Sequence, residues 1–519
     1  MKKKIRKRKA KWIHKWFSLT LFCVIIVWVL SGILLNHRHI IRGVDIPRSY
    51  LPSNYKMNSW NQAGLRDGLR INSEQLILYG EEGCFLTNNS FSEFHSFNDG
   101  LPKGSDSRKI YSIKKYKESL FAATNFGLFH KTSLGAPWEL FCLGANDELR
   151  IVDLAIKDNF LFVASRSNIF QIDLNDRLLA SKKITLLVND QDLKKVSLFK
   201  TIWLIHSGAL FGFWGRIFVD LIGLSLLFFC FSGILIWWLP KRIKKKAEKK
   251  DACIKRFKWN FKYHKKIGLY LAVFLLIVSV TGMFLRPPLL IPIAEKKINK
   301  IPGSVLDNTS PYYDNIRKIF YDKESDLILL GTTNGIYKFK SDFSDKPILV
   351  KEQPPISVMG INVLAKDFEN RLVVGSFQGL YIWEPNEEDY VLDYFSGIPP
   401  KVQKKGPPVG KNMAVGLIGD NKTGLFYIDY NKGAICIKRG EANELIMPSK
   451  ISDESKMSLW NLALEIHTGR IFQFILGKFY ILIVPLLGLS CVFIFISGLI
   501  LCFKKKKTSS FNNAVIKKE

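Results

Sequence analysis

Six of the chain's eight histidines stand beside long apolar runs: His14, His37, His39, His206, His264 and His467. Imidazole binds transition metals near neutral pH, and haem iron takes it as an axial ligand. A lone histidine at a helix end is ordinarily an interfacial residue with a solvated ring. These positions recur, however. His14 and His264 open two apolar runs in matching contexts, Trp12-Ile13-His14-Lys15 and Lys262-Tyr263-His264-Lys265, at a constant offset of 250. His206 and His467 precede two others, in Ile205-His206-Ser207-Gly208 and Ile466-His467-Thr468-Gly469. Ligand sites in helical bundles are built from facing helices. One pair near each leaflet is therefore the pattern expected of two bis-histidine haem b groups stacked across a bilayer. His37 or His39 could join or replace an outer ligand, and the sequence does not choose between them. Arg470, Arg216 and Lys478 lie nearby, with Gly215-Arg216 matching Gly477-Lys478. Such cations could hold haem propionates or serve as interfacial anchors. Arg216 and Asp220, four residues apart on one helical face, are expected to form an interfacial ion pair.

The elements that must position these residues are four uncharged apolar runs, Trp16–Leu35, Leu221–Leu239, Ile267–Leu285 and Phe479–Phe503. Each is long enough to cross a hydrocarbon core of about 30 Å at about 1.5 Å per residue. The first run is too long for a signal-peptide core and lacks an Ala-x-Ala-like site, so it is expected to be a retained anchor. The net charge of +31 follows the same plan. Segments 2–11, 241–266 and 504–519 carry +8, +11 and +5 of it, and each abuts a span on the same side. That is the positive-inside pattern of a multi-pass protein, and it argues against nucleic-acid binding. The expected order is a basic cytoplasmic terminus (1–11), a span (12–36), a β ectodomain (37–199) and an interfacial segment with the second span (200–239). A basic cytoplasmic loop (240–261), a span (262–286), a second β ectodomain (287–458), an interfacial segment with the fourth span (459–503) and a basic tail (504–519) follow. Both termini would be cytoplasmic and both ectodomains periplasmic. Ser-Gly and Thr-Gly pairs near the span ends read as small residues that let helix backbones approach. Three external cysteines, Cys84, Cys142 and Cys436, leave a disulfide open.

The ectodomains repeat at a shorter period. Strand–turn–strand units centre on Gly83, Gly127 and Asn168, then on Gly335, Gly379 and Gly433, mostly 41 to 44 residues apart. That spacing is expected of propeller blades. Three units per ectodomain are few for a closed ring, so the two halves could combine into one six-bladed propeller; separate β-sandwich-like domains are the alternative. A Pro/Gly/Lys-rich loop, 398–411, widens the last interval. The fold class is thus four internally duplicated membrane helices plus all-β, propeller-like ectodomains. Neither ectodomain carries a hydrolytic triad, a His-Glu-x-x-His motif or a phosphate-binding glycine loop.

The tryptophan–histidine start of the first span, the matching His264, the motif His467-Thr468-Gly469-Arg470 and the closing Ser-Gly-Leu resemble the PepSY-associated transmembrane family. That bacterial inner-membrane family includes iron-regulated proteins and ferric-siderophore reductases. The resemblance implies haem on transmembrane histidines and reduction of ferric-siderophore at the periplasmic side. His206-Ser207-Gly208-Ala209 departs from the family motif by lacking its arginine, and no clear PepSY α/β unit is present. The cytoplasmic segments show no flavin or nicotinamide domain, so electrons would come from quinol or a separate donor. A non-enzymatic binding, sensory or assembly protein on the same scaffold is the competing expectation. Transport ranks below both, since the spans lack broken, polar helices.

Overall fold

The computed structural model describes residues 2–144, 149–176, 179–187, 195–244, 250–307, 310, 312–384, 390–400 and 410–503. The basic tail 504–519, part of the basic segment between the second and third spans (245–249) and most of the loop 398–411 lie outside the described residues.

Among the described residues four helices have the length and composition to cross a bilayer: Lys7–Asn36, Ala209–Lys244, Lys250–Phe284 and Arg470–Cys502. Their apolar side chains run all round the helix, so the bundle interior cannot bury them all. Val27, Leu30, Leu221, Phe231, Val273 and Leu486 face outward. Lipid is the solvent that tolerates such a surface, and a helix satisfies its own backbone there. The protein is a multi-pass membrane protein. The first helix packs on the second and fourth, and the third helix also packs on both. Ile25, Cys230, Cys491 and Ile494 meet at the centre.

Outside the spans the described residues form six antiparallel sheets of three or more strands. Five have four strands, within 67–96, 110–141, 151–184, 316–349 and 361–393; the sixth has three, within 414–439. The strand–turn–strand units expected from the sequence are the central hairpins of these sheets. In three of them one device closes the turn. Thr124 Oγ1 donates to the Gly127 carbonyl at 2.8 Å and accepts from the Phe126 amide. Ser165 does the same with Asn168 and Ser167, and Thr332 with Gly335 and Asn334. Such local hydroxyl bonds favour turns over continued strand.

The two β ectodomains, expected as separate segments, share their cores and are one body. Leu76, Leu78 and Phe85 pack with Val415, Ile418 and Phe426. Val152 and Phe162 pack with Ile316, Ile328 and Phe339. First strands meet in succession: Asp67–Arg70, Ile110–Tyr116, Ile151–Lys157, Ile316–Asp322, Ile361–Lys366 and Ala414–Asp420, the last lying beside Asp67–Arg70 again. All eight cysteines are unpaired thiols, so no disulfide joins Cys84, Cys142 or Cys436.

Two short ribbons join this body to the spans. Asp45–Pro47 pairs with Lys456–Ser458, and Lys195–Ser197 pairs with Lys297–Asn299. The final serine of a strand in each ribbon caps a short amphipathic helix. Ser197 Oγ accepts from the Lys200 amide at the start of Leu198–Ser207. Ser458 Oγ accepts from the Asn461 amide at the start of Leu459–His467. Such a cap satisfies one of the first-turn amides left without an intrahelical partner.

Candidate functional site

The short helices end on the two outer histidines and the long helices carry the two inner ones. His14 lies in the first spanning helix and His264 in the third, with ring centres 6.1 Å apart. His206 and His467, the last turns of their short helices, have ring centres 6.0 Å apart. The structure brings together both pairs that the repeat pattern singled out.

One nitrogen of each ring is held. His14 Nδ1 lies 3.0 Å from the Ile494 carbonyl, and His206 Nδ1 lies 3.0 Å from that of Val278. His467 Nδ1 lies 3.1 Å from both the Trp28 carbonyl and Ser31 Oγ. His264 Nδ1 lies 2.7 Å from Ser232 Oγ, which itself donates to the Phe229 carbonyl. Carbonyls only accept, so Nδ1 carries the proton in the first three rings; Ser232, already donating, places it there in the fourth. Nε2 is then the bare nitrogen, and among the described residues none of the four Nε2 atoms has a hydrogen-bond partner. A fixed Nδ1–H and a free Nε2 are what a metal-ligating histidine needs.

The Ser-Gly and Thr-Gly pairs, expected to let helices approach one another, instead receive the rings. A Cβ on Gly32 would stand 3.0 Å from His467 Cε1, and one on Gly282 2.8 Å from His206 Cε1. A Cβ on Gly498 would stand 3.1 Å from His14 Cε1, and one on Gly233 3.8 Å from His264 Cε1. The residue before each glycine is Ser31, Thr281, Ser497 or Ser232, and its hydroxyl reaches the same ring. These eight residues belong to the site, and sequence reasoning missed their role. The available signal was that all four small pairs stand at a histidine level.

The neighbouring polar residues sort differently from expectation. Asp220 is not paired with Arg216. Its carboxylate lies 2.8 Å from His37 Nε2 and accepts from Asn36 Nδ2 at 2.9 Å. Arg216 is exposed and makes no ion pair among the described residues. The reason is packing: the first helix brings Asn36 and His37 against the buried face of the second, and Arg216 points the other way. His37 is therefore engaged away from the outer pair. His39 packs edge-on against Phe126, 5.2 Å between centres. Arg470 is ion-paired with Glu465, which also accepts from Tyr55 Oη at 2.7 Å. Lys478 is exposed in the Gly477–Leu482 turn.

With a metal–imidazole bond of about 2.0 Å, ring centres 6.0 and 6.1 Å apart are compatible with one metal held by the two rings of a pair, so His14 with His264 and His206 with His467 are the residues that would hold it. The two levels are also well placed. His14 and Gly32, the residue under His467, are 18 apart on one helix, as are His264 and Gly282 on another. At about 1.5 Å per residue the levels stand about 27 Å apart, near the two edges of a hydrocarbon core. Among the described residues no group of three or more His, Cys, Asp or Glu is placed to hold a metal, so paired imidazoles are the donor set at hand.

The family model described as PepSY-associated TM region matches residues 11–505. No curated protein matches the chain. Solved structures that it resembles include the extracellular domain of the hybrid two component system BT4673 from B. thetaiotaomicron. There the TM-score is 0.35 and the identity 9%, over 71% of this chain and 32% of that one. PorZ, a surface component of the type-IX secretion system of Porphyromonas gingivalis, gives 0.33 and 8%, over 76% and 39%. The computationally designed Ika8 protein gives 0.31 and 10%, over 73% and 97%. The chain thus spans about a third of the length of the first of these. At such scores the likeness carries neither fold nor function to this chain.

Proposed function

The chain belongs to the PepSY-associated TM region family, and on that footing we propose that it is a haem-binding redox protein of a bacterial inner membrane, passing electrons outward. The observation that carries this reading is the pair of histidine pairs, each with ring centres about 6 Å apart, Nδ1 held and Nε2 free. His14 with His264, and His206 with His467, would hold the two groups. Haem, when bound, supplies the one-electron chemistry of its iron. The residues orient the ligands: the carbonyls of Ile494, Val278 and Trp28 and the hydroxyl of Ser232 fix the tautomers, and the four glycines let the rings lie against the helix backbone. Arg470 is held by Glu465, so propionate contacts would fall to other cations such as Arg286, whose buried Nε has no partner.

Orientation follows from charge: the basic segments 2–11 and 241–266 place both long-helix starts in the cytoplasm and the sheets in the periplasm. The six sheets, meeting in succession through their first strands, read as blades of one propeller set on the membrane. A ferric chelate at the periplasmic side is the acceptor this arrangement suits, with quinol or a separate protein as donor.

The test is a reduced-minus-oxidised absorbance spectrum of the full chain, purified in detergent after expression with ample haem. A b-type band lost when the four histidines become Ala supports the reading. A colourless, folded protein would sink it and leave a membrane-anchored binding or sensory protein.

A further inference from the structure

Between the sheets and the outer ends of the spans lies a cavity of about 2820 Å³. Its lining includes thirteen Lys or Arg residues against four Asp or Glu, so cations predominate along its wall. Part of that charge is offset by carboxylates outside the lining: Arg38 pairs with Asp106, Arg66 with Glu81 and Lys318 with Asp153. Arg66 and Lys109 share Glu81 at 2.7 and 2.8 Å; burial would raise that carboxyl, but the two cations bring it down to about 2. One corner of the cavity has no such balance. There Arg166 and Lys200 share one carboxylate, Asp314, and Arg317 and Arg150 stand close enough to be repelled by Arg166.

The contacts in that corner leave much of the cationic capacity unused. Arg166 is ion-paired with Asp314, and Lys200 Nζ stands 3.8 Å from the same carboxylate. Among the described residues Arg317 donates only to carbonyls, those of Asp314, Ile316 and Met359. Arg150 donates to Tyr111 Oη at 2.8 Å and lies 5.0 Å over that ring, but its buried Nε has no partner among the described residues. The charges feel one another. Burial, eased by Asp314 and reinforced by Arg166 and Arg317, brings the Lys200 ammonium down to about 8. Burial and then Arg166 bring Arg317 down to about 9. A site that gathers mutually repelling cations away from bulk water is stabilised by a guest of opposite charge.

We propose that this chamber binds a small multiply charged anion bearing carboxylate groups, gripped by Arg150 and Arg317 with Lys200. Planar guanidinium forks match carboxylate geometry, and the mobile ammonium supplies a point charge. The floor of the chamber reaches the outer histidine level: Trp203 lines it three residues before His206, and Arg286 four residues after Gly282. The occupant and the outer pair would thus share one side of the molecule. That the occupant is an anionic ferric chelate rests on the redox reading; the anion site does not.

The experiment is calorimetric titration of the full chain in nanodiscs of neutral phosphatidylcholine. The probes are citrate, ferric citrate and a neutral ferric trihydroxamate. Citrate and ferric citrate should bind and the neutral chelate should not. Arg317→Gln and Arg150→Gln should each weaken citrate at least about tenfold, as loss of a charge-assisted bond does. Lys182→Gln, an exposed cation on an outer strand, should change nothing. Should Arg317→Gln misfold, Lys200→Gln gives the same reading. Absence of citrate binding, equal binding of the neutral chelate, or equal loss in the Lys182 variant overturns the proposal. Repeating the titration in discs containing phosphatidylglycerol separates the sources. If anionic lipid abolishes citrate binding, the site belongs to headgroups and the proposal falls. Binding is read without any electron donor. Citrate affinity retained in a colourless protein keeps the site and ends the redox reading, whereas a haem-replete protein blind to citrate does the reverse.

Discussion

The inner and outer histidine pairs have nearly the same spacing and quite different supports. His14 and His264 belong to spanning helices, so the bundle alone positions them. His206 and His467 lie in the last turns of short helices that hang from the two ribbons, so their position depends on the body of sheets. Gly32 and Gly282 leave almost no room beneath the outer rings, whereas under the inner pair Gly498 is close and Gly233 is not. Only the outer level borders the basic chamber. The comparison teaches that one spacing of paired rings has been reached by two routes, one internal to the membrane and one governed from outside it.

The sharpest way to break the comparison is to remove the pairs in turn. His14→Ala with His264→Ala, and separately His206→Ala with His467→Ala, should each remove roughly half of the b-type absorbance. Redox titration of the remaining band should give a single component in each variant, with different midpoints. Two variants with one identical residual component would mean that the pairs are not independent sites.

Next in size are the glycines. Replacing Gly by Ala inside a helix ordinarily stabilises it by up to about 1 kcal/mol. At Gly282 the new methyl would meet His206 at 2.8 Å, so the ring must move. Gly282→Ala should cut the outer component severalfold and leave the inner one. Gly233→Ala, with 3.8 Å to spare, should keep the inner component and raise the melting temperature slightly. Equal behaviour of the two variants would mean that ring-to-backbone approach does not position the ligands.

Much of this was legible in the residue pattern. The spans were written in uncharged runs, and the histidine pairs in the recurrence of His14 at His264 and of His206 at His467. The hairpins were written in Leu-rich strands broken by Gly127, Gly335 and Gly379. What was hidden depends on partners distant in sequence. The i, i+4 spacing of Arg216 and Asp220 is a local rule. It cannot register that His37, 183 residues earlier, occupies the carboxylate. Arg470 read as a free cation because its local partner Glu465 lies across a helix end, where the chain reverses at Gly469. The small pairs were read as helix contacts because the pattern names a size and not the group that will fill the space. The basic corner was hidden for the same reason: Arg150, Lys200 and Arg317 come from three separate segments and meet only when the sheets close on the membrane.

A smaller effect tests how the outer pair is held. Ser458→Ala removes the cap of the helix that ends at His467, which typically costs about 1 kcal/mol. The loss should appear in the outer component: a broader band and earlier thermal loss of the outer haem, while the inner one melts as before. Ser197→Ala should do the same through His206. Loss from both levels together would mean that the ribbons steady the whole bundle and not the outer level.

The smallest expected effect is a pH dependence that only the outer side should show. Lys200 faces Asp314, Arg166, Arg317 and the Tyr313 carbonyl, and its ammonium titrates at about 8 because burial and the neighbouring guanidinium groups disfavour the charged form. An anion in the chamber favours that charged form, so it binds best when Lys200 is protonated. Citrate affinity should therefore be level below pH 8 and fall severalfold as the pH rises through 8 to 10, with a proton taken up on binding at the upper end. Without the anion the sign reverses: because the folded value lies below the usual lysine range, this group adds stability as the pH rises above about 8. Lys200→Arg, which stays charged, should remove the part of the fall that begins near pH 8 and leave the later part that Arg317, brought down to about 9, contributes, with the inner histidine level unchanged. An affinity that falls equally in the Lys200→Arg protein would assign the titration to another group.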